Sequence, residues 1–570
     1  MIAAWGRAVA DRIAPAHGLL ILAALIVYLP GFGWGVPDAA AADRVHSWGV
    51  DATLPLGPLS EMHNIIEPKP DRNLGYPLMS YFLVFAAYLP YLGWLWLTGA
   101  LSGISGVYPF GLSDPAHQLQ ALALIGIGVS TVMAVGIVLA AYEAARALWD
   151  HATGLLCGSM TALCYPIVYY SRAGNPDVPM LFFIALALAV FARGLSGGFT
   201  LRRTIWLGLW IGFAMATKEP ALASFLAVPF VVLFHRREGQ GHWRRWTFWR
   251  IPLAGAAAAL LSFGAGSGLF IDPQRYFAHI QFGRERVSAL TSGQIHFVQP
   301  APNTWEGNLQ LLGQLAGALA DSMTWPGLLL AVAGLLWCAM RELRQAVFAL
   351  SALTYLATLL SGARVVQLRY VMPAAFVLAF FAARGMIVAW RSGMPWLRWS
   401  AAAWGLLGIG LGAAHAADLN HAMLRDSRYA AARWLASRTQ PGDRVETFGP
   451  IANLPPLKAG VVSAQSIQFF GLMKPPRLDP TAVEEILAAW KRHRPKFVLI
   501  QPDYTSRGAP FSASCPPQIY DGLILGRYGY RLAMVFHTPS LLPWAARPPL
   551  DYPVVNPPIR IFARVEEPGS

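Results

Sequence analysis

Long apolar segments separated by short polar stretches fill residues 17–416 of the chain. A helix that crosses a bilayer needs about 20 apolar residues. By that criterion the pattern predicts a polytopic α-helical membrane protein with about 11 spans. The predicted spans are residues 17–34, 118–142, 152–170, 178–195, 204–217, 219–234, 250–271, 324–340, 345–362, 371–390 and 397–416.

Arginines between these segments orient the predicted spans, because cytoplasmic loops carry an excess of Lys and Arg. Starting from a cytoplasmic N-terminus, the arginine-bearing loops are cytoplasmic only if the apolar run 76–98 does not cross. We therefore predict that 76–98 lies at the outer interface; the alternative is an ordinary span paired with a misjudged neighbour. The arginines in question are Arg193, Arg202, Arg203, Arg236, Arg237, Arg244, Arg245, Arg341, Arg344, Arg391 and Arg398.

The first span and the last 150 or so residues complete this topology. The run 17–34 follows two arginines, as a signal peptide would, but it ends in GFGWGVPD and lacks a small-residue cleavage site. We predict an uncleaved first span. Residues 418–570 instead alternate helical periodicity with short β-rich runs, as in RYAAARWLASRT, RVETFG, AVEEILAAWKRHR and KFVLIQ. The pattern predicts two domains, a membrane domain (1–417) with a long first outer loop (35–117) and an extracytoplasmic α/β domain (418–570).

Composition supports a membrane protein and argues against other classes. Only 13% of the 570 residues are charged and 55% are hydrophobic, whereas soluble domains carry about 25% charged residues. The net charge of +14 could indicate a nucleic-acid partner, but the arginines cluster between apolar segments, so we predict membrane lipids and no nucleic acid as partners. The four cysteines show neither a disulfide framework nor metal-type spacing.

Polar residues of the predicted outer loops are the candidates for chemistry. A groove that combines carboxylates with Lys and Arg suits a substrate with an anionic head and an apolar tail, since the cations would bind phosphate and a carboxylate would act as general base. Each residue also has a structural alternative: Asp177 as a helix N-cap, Lys218 as a snorkelling side chain and Arg369 as an interface anchor. The candidates are Asp43, Asp51, Glu61 and His63 in the first loop, Asp177 in the second, Lys218 and Glu219 in the third, and Arg369 in the fifth.

The order of these motifs resembles a known superfamily. An acidic first loop, a YP helix starting at Tyr76, an NPDVP turn, a TKE turn and an RYVMP stretch occur in this order over about residues 15–415. This arrangement resembles the C-type glycosyltransferase superfamily (GT-C), and within it glycosyltransferase family 39, the protein-mannosyltransferase-like enzymes that include the bacterial aminoarabinose transferases.

The resemblance implies a role for several residues. Family members transfer a sugar, usually with inversion, from a polyprenyl-phosphate carrier to a lipid or protein outside the cytoplasm. Asp51, in SWGVDATLP, then corresponds to the catalytic base, with Ala52 where the family often has Glu, so that Asp43 or Glu61 could assist. Asp177 corresponds to the second-loop acid. The residues implied to hold donor or lipid phosphate are Lys218, Glu219, Arg369, Tyr370, Glu61, His63 and Tyr76.

The expected function is a transferase of the bacterial inner membrane that uses a polyprenyl-phosphate sugar donor and an extracytoplasmic acceptor. Many relatives carry an Arg at the start of the second span, whereas this chain has LIGIGVSTV around Gly128. No cofactor is required for this chemistry. A divalent metal between Asp51, Asp177 and a phosphate is possible but is not predicted, since the His and Asp spacing gives no ligand set. The alternatives are a transporter or flippase of lipid-linked sugars, and a catalytically silent lipid-binding relative.

Overall fold

The computed structural model describes residues 15–565 except residues 39, 50, 70–71, 73, 241–245, 292–299, 363, 449–453, 466–479, 502–514 and 545–554. The described chain is mainly helical as far as residue 436. In chain order they are α1 (Pro15–Tyr28), α2 (Leu56–Ile66), α3 (Met79–Leu97), α4 (Pro115–Leu148), α5 (His151–Ala162), α6 (Tyr165–Tyr170), α7 (Asp177–Gly197), α8 (Leu201–Thr217), α9 (Val228–Gln240), α10 (Trp246–Ser267), α11 (Pro273–Thr291), α12 (Trp305–Met323), α13 (Trp325–Arg341), α14 (Leu343–Ala346), α15 (Leu350–Ser361), α16 (Met372–Trp390), α17 (Pro395–Leu424) and α18 (Ser427–Ala436).

Seven helical segments of the described chain are long and apolar enough to cross a membrane, which makes this a multi-pass membrane protein. A further pair, α12 and α13, meets the same criterion as one unit but bends by 106° between the two helices. The count of about 11 spans stays a prediction. The seven segments are Met79–Leu97, Pro115–Leu148, Asp177–Gly197, Phe248–Ser267, Leu343–Ser361, Leu368–Trp390 and Pro395–Ala436.

Two predicted spans are each divided into shorter helical segments. The predicted span 152–170 divides into α5 and the six-residue α6, with Pro166 in the first turn of α6. Proline lacks a backbone N–H and disfavours helical geometry in the preceding residue, so a helix cannot run through this position unchanged. The predicted span 219–234 likewise consists of a 3₁₀ segment, Glu219–Phe225, followed by α9.

Helix α3 corresponds to the apolar run 76–98. Its 19 residues also satisfy the length and composition of a span, and most of its apolar window faces away from the protein interior. Length and composition therefore suit either arrangement, and the interfacial placement stays a prediction.

Glycines bring two pairs of helices into backbone contact. A Cβ on Gly208 of α8 would lie 2.0 Å from the carbonyl oxygen of Gly255 in α10. A Cβ on Gly334 of α13 would lie 2.0 Å from the carbonyl oxygen of Phe381 in α16. Small residues permit such close packing between membrane helices. Helix α8 ends just before Lys218 and α16 begins just after Arg369, so each of these two helix pairs carries one of the cations at its end.

The C-terminal unit, which begins at Asp426 with the N-cap of α18, contains a five-stranded sheet with the order β2-β1-β3-β5-β4. The strands β2, β1 and β3 are parallel, whereas β5 is antiparallel to both β3 and β4. The predicted alternation of helix and strand is found, with β2 as an additional strand. The elements are β1 (Arg444–Thr447), β2 (Val462–Gln465), α19 (Pro480–His493), β3 (Phe497–Ile500), α20 (Pro517–Ile524), β4 (Tyr530–Phe536) and β5 (Ile559–Arg564).

Candidate active site

The first ion pair of the site joins Asp51 to Arg369, which are separated by 318 positions in the sequence. Arg369 lies in a 3₁₀ turn, Leu368–Val371, directly before α16, and its Nη1 donates a hydrogen bond to Oδ2 of Asp51. Asp51 adopts a φ of +55°, a left-handed conformation that aspartate tolerates better than most residues. The Asp51 side chain keeps 35% of its surface exposed, so a substrate can reach it.

Tyr76 connects this pair to a second cation. The Tyr76 hydroxyl donates a hydrogen bond of 3.0 Å to Oδ2 of Asp51. Lys218 Nζ lies 5.5 Å from the centroid of the Tyr76 ring and 5.9 Å from that of Tyr370. At such distances an ammonium is attracted to the face of an aromatic ring. Lys218 is therefore held between two tyrosines close to Asp51.

The second ion pair joins Lys218 to Asp177, with 2.6 Å between Nζ and Oδ1. Asp177 is 1% exposed, and its other oxygen accepts a hydrogen bond of 2.8 Å from Nδ2 of Asn175. Asp177 is the first residue of α7, and Pro176 occupies the N-cap position of that helix. The N-cap alternative for Asp177 is thus wrong, and its carboxylate oxygens bond instead to the side chains of Lys218 and Asn175. Lys218 is paired and 13% exposed, unlike a lysine that snorkels into solvent.

The electrostatics of this group keep Asp51 ionised and Tyr76 protonated. Burial acts to raise the pKa of Asp51, but the charges of Arg369 and Lys218, together with the hydrogen bonds from Arg369 and Tyr76, lower it below its usual value. Burial and the charge of Asp51 raise the pKa of Tyr76 well above its usual value. We call Asp51, Tyr76, Asp177, Lys218, Arg369 and Tyr370 the charged cluster; the Tyr370 hydroxyl lies 3.4 Å from Nη2 of Arg369.

A neighbouring set of charges holds the segment that carries Tyr76. Arg275 of α11 donates to Oε2 of Glu61 at 2.7 Å and to the carbonyl oxygen of Tyr76 at 2.9 Å. One turn further along α11, His279 contacts the Leu74 carbonyl oxygen through Nδ1, at 2.6 Å, and Glu219 through Nε2. Glu61 is fully buried in α2. Glu61 and Glu219 thus bond to side chains of α11.

Two further predicted residues lie elsewhere. The Asp43 carboxylate accepts a hydrogen bond from the Ser463 hydroxyl in β2, so its assistance of Asp51 by direct contact has no basis in this geometry. His63 of α2 lies outside the charged cluster, with Nε2 3.5 Å from the carboxylate of Glu67, the C-cap residue of α2.

Sequence reasoning missed the functions of Asp272, Arg275 and His279 as partners of the first loop. Asp272 pairs with Arg72 at 2.7 Å, while Arg275 and His279 hold the backbone around Tyr76. Their spacing of three and four residues places them on one face of a helix, which is a signal that the sequence did contain. Among the residues that the structure describes, no group of three or more His, Cys, Asp or Glu side chains is arranged to hold a metal ion.

Comparison with known proteins adds one family match. Residues 123–264 match the family model of dolichyl-phosphate-mannose-protein mannosyltransferases. This segment contains Asp177, Lys218 and Glu219, whereas Asp51 and Arg369 lie outside it. No curated protein matches the sequence at a significant level.

Several solved structures are similar to the chain at low identity. ArnT from Cupriavidus metallidurans bound to undecaprenyl phosphate has 11% sequence identity and a TM-score of 0.46, with 95% of this chain and 97% of that chain covered. An oligosaccharyltransferase from Archaeoglobus fulgidus tethered with an acceptor peptide has 13% identity and a TM-score of 0.44, covering 96% of this chain and 88% of that chain. The archaeal oligosaccharyltransferase AglB from the same organism, in complex with an inhibitory peptide and a dolichol-phosphate, has 14% identity, a TM-score of 0.42 and coverage of 85% and 69%.

The family match agrees with the resemblance inferred from the order of the motifs, because the NPDVP and TKE turns lie within the matched segment. Over residues 123–264, this chain is similar to the dolichyl-phosphate-mannose-protein mannosyltransferases.

Proposed function

We propose that the protein is a membrane glycosyltransferase that moves a sugar from a polyprenyl-phosphate donor to a hydroxyl or amine of an extracytoplasmic acceptor, at the bacterial inner membrane. The observation that carries this proposal is the charged cluster: two carboxylates and two cations from four distant segments meet beside two tyrosines. The family model names a dolichyl-phosphate sugar as donor, which is the chemistry that such a cluster suits.

In this reaction Asp51 is the general base. The acceptor heteroatom attacks the anomeric carbon, its proton passes to Asp51, and the bond between that carbon and the phosphate oxygen breaks. The bonding electron pair stays on the phosphate, which leaves with one additional negative charge. Arg369 and Lys218 stabilise that charge, since fixed cations in a partly desolvated site stabilise developing charge better than water does.

Donor binding also changes the pKa of Asp51. In the free protein the charge of Arg369 lowers the pKa of Asp51, which makes Asp51 a weak base. A phosphate that pairs with Arg369 offsets this charge, so the pKa of Asp51 rises toward the range in which a carboxylate accepts protons effectively. Asp51 thereby becomes a better base when the donor is present. Asp177 keeps Lys218 in place and remains fully paired.

The test is release of polyprenyl phosphate from a panel of polyprenyl-phosphate sugars by the purified protein in detergent, with bacterial membrane lipids supplied as acceptors. Asp51→Asn should lower turnover by at least about 100-fold, the usual contribution of a general base, without loss of donor binding. Glu67→Gln is the matched control, because Glu67 lies in the same loop with 75% of its side chain exposed. Equal turnover of Asp51→Asn and wild type would assign the base to another residue. Donor binding without turnover in the wild type would favour the silent lipid-binding relative.

A further inference from the structure

The first outer loop is attached to the C-terminal unit by hydrogen bonds over residues 38–44. Arg44 is 6% exposed, and its guanidinium donates to the carbonyl oxygens of Leu457 at 3.1 Å and Val461 at 2.5 Å. Asp38 accepts a hydrogen bond of 3.0 Å from the Leu457 backbone N–H. Two carbonyl oxygens of one segment of the C-terminal unit thus accept hydrogen bonds from a single arginine. The planar guanidinium has several N–H donors in a fixed arrangement that suits such a pair of acceptors.

Two tryptophans, Trp48 in this loop and Trp34 directly before it, make further contacts with the C-terminal unit. The Arg428 guanidinium lies 3.6 Å from the centroid of the Trp48 ring, and both oxygens of Asp426 accept hydrogen bonds from Arg428. Asp426 Oδ2 also accepts a hydrogen bond of 3.0 Å from Nε1 of Trp34. Arg428 and Asp426 are fully buried in this contact. Buried charges are expensive unless they are paired and hydrogen-bonded, so these partners hold the loop in one arrangement.

Asp51 lies three residues beyond Trp48, in a short turn with fixed ends. The Ser47 N–H donates to the Leu54 carbonyl oxygen at 3.2 Å, which closes the turn, and the Trp48 N–H donates to that of Gly35 at 2.7 Å. The opposite side of the turn meets the loop that leads to Asp177, because a Cβ on Gly49 would lie 3.2 Å from the Ala173 carbonyl oxygen. The turn that presents Asp51 is therefore held between the membrane helices and the C-terminal unit.

We propose that the C-terminal unit positions the general base, with Arg44 and Arg428 as positioning residues. This inference rests on the proposed function of Asp51. Neither arginine touches the charged cluster. Each fixes the part of the first loop that precedes Asp51, so that its carboxylate stays within reach of Arg369 and of the reacting acceptor. A displacement of about 1 Å at a reacting group is enough to cost about 100-fold in rate.

The experiment compares full-length wild type with Arg44→Ala, Arg44→Lys, Arg428→Gln and the control Arg438→Gln. Arg438 is exposed and lies 4.4 Å from the Trp434 ring within the C-terminal unit, without a loop contact. Two quantities are measured on the same preparations: kcat and KM for the polyprenyl-phosphate sugar donor, and amide hydrogen exchange of residues 45–54. We expect Arg44→Ala and Arg428→Gln to lower kcat at least tenfold at nearly unchanged KM and to accelerate exchange in residues 45–54. Arg44→Lys should restore part of both, and Arg438→Gln should match wild type.

Hydrogen exchange separates failure of this inference from failure of the proposed function. Unchanged exchange in residues 45–54 of Arg44→Ala and Arg428→Gln would overturn the positioning role even if the wild type is active. A raised donor KM at constant kcat would overturn it as well, and would assign the C-terminal unit to donor binding. Inactive wild type with accelerated exchange in both variants would refute the proposed transferase while retaining the attachment of the loop. A variant that loses exchange protection throughout the C-terminal unit has unfolded. In that case the comparison of Arg44→Lys with wild type, by kcat and by exchange in residues 45–54, decides whether Arg44 is a positioning residue.

Discussion

Lys218 and Asp177 form an ion pair of 2.6 Å between a short turn after α8 and the first residue of α7. Asp177 is almost fully buried, and Lys218 is the cation in contact with it. This pair sits beside the Asp51–Arg369 pair, so the two carboxylates and the two cations of the charged cluster are balanced in the absence of substrate. A bound phosphate would bring an excess of negative charge, which only the cations can accept.

Replacing Lys218 by methionine should destabilise the protein and weaken donor binding. The loss of one partner from a buried pair costs about 3–5 kcal/mol, because it leaves an uncompensated charge. The double variant Lys218→Met/Asp177→Asn removes both charges and should recover much of the thermal stability, but not the donor affinity. Thermal unfolding in detergent and donor KM test this pair of expectations. Equal donor KM in the double variant and wild type would remove Lys218 from phosphate binding.

Replacing Arg369 by glutamine should move the acid limb of the pH profile of kcat/KM to higher pH. Asp51 acts in its ionised form, and its pKa is held below the usual value chiefly by the charge of Arg369, which opposes the effect of burial. Without that charge, Asp51 takes up a proton at higher pH and activity is lost earlier on acidification. Donor KM should also rise, by about tenfold or more for a lost charge-assisted contact.

The control for Arg369 is Arg364→Gln. Arg364 lies in the same segment but bonds to the carbonyl oxygens of Ala301 and Pro302 and to Asn308. Its replacement should leave the acid limb unchanged. An unshifted limb in Arg369→Gln would show that another group titrates there.

The Glu61–Arg275 pair should contribute to stability and, through Tyr76, to activity. Glu61→Gln leaves the buried Arg275 without its carboxylate partner and should lower the free energy of unfolding by about 3–5 kcal/mol. Since Arg275 also holds the Tyr76 carbonyl oxygen, kcat should fall together with stability. Thermal unfolding and turnover are compared with those of Glu67→Gln on the same helix end. A stability equal to that control would mean that the pair is dispensable.

His279 should make stability depend on pH above about 6.5, the usual pKa of a histidine. Burial lowers its pKa, but the hydrogen bond and charge of Glu219 outweigh burial and the repulsion of Arg275, so the pKa is raised above its usual value. A raised pKa means that the stabilisation is complete below the unfolded value of about 6.5 and is lost as pH rises through the folded value. The melting temperature of wild type should therefore fall as the pH rises above about 6.5, whereas that of His279→Gln should change less over the same pH range. Parallel melting curves of both proteins would contradict this.

Local sequence patterns were sufficient to predict most individual helices and strands. The long apolar runs correspond to α4, α7, α16 and α17, and the alternating runs of the tail correspond to α18, β1, α19 and β3. Helix and strand depend on hydrogen bonds and side-chain periodicity over a few residues, which a single sequence displays. Proline explains why the predicted span 152–170 divides, and that signal was also local.

The sequence by itself therefore determined an apolar helical protein with a mixed C-terminal unit, and it placed Asp51, Asp177, Lys218 and Arg369 at the ends of apolar segments, where chemistry could be expected. Only the tertiary structure decided that Asp51 meets Arg369, that Lys218 meets Asp177, that Glu61 is buried against Arg275, and that Asp43 belongs to the contact with β2. The physical reason is that the sequence offers several possible cationic partners for each carboxylate in a loop. The cation with which the carboxylate pairs depends on helix packing and on the cost of burying charge. Neither of these can be read from the residues adjacent in the sequence.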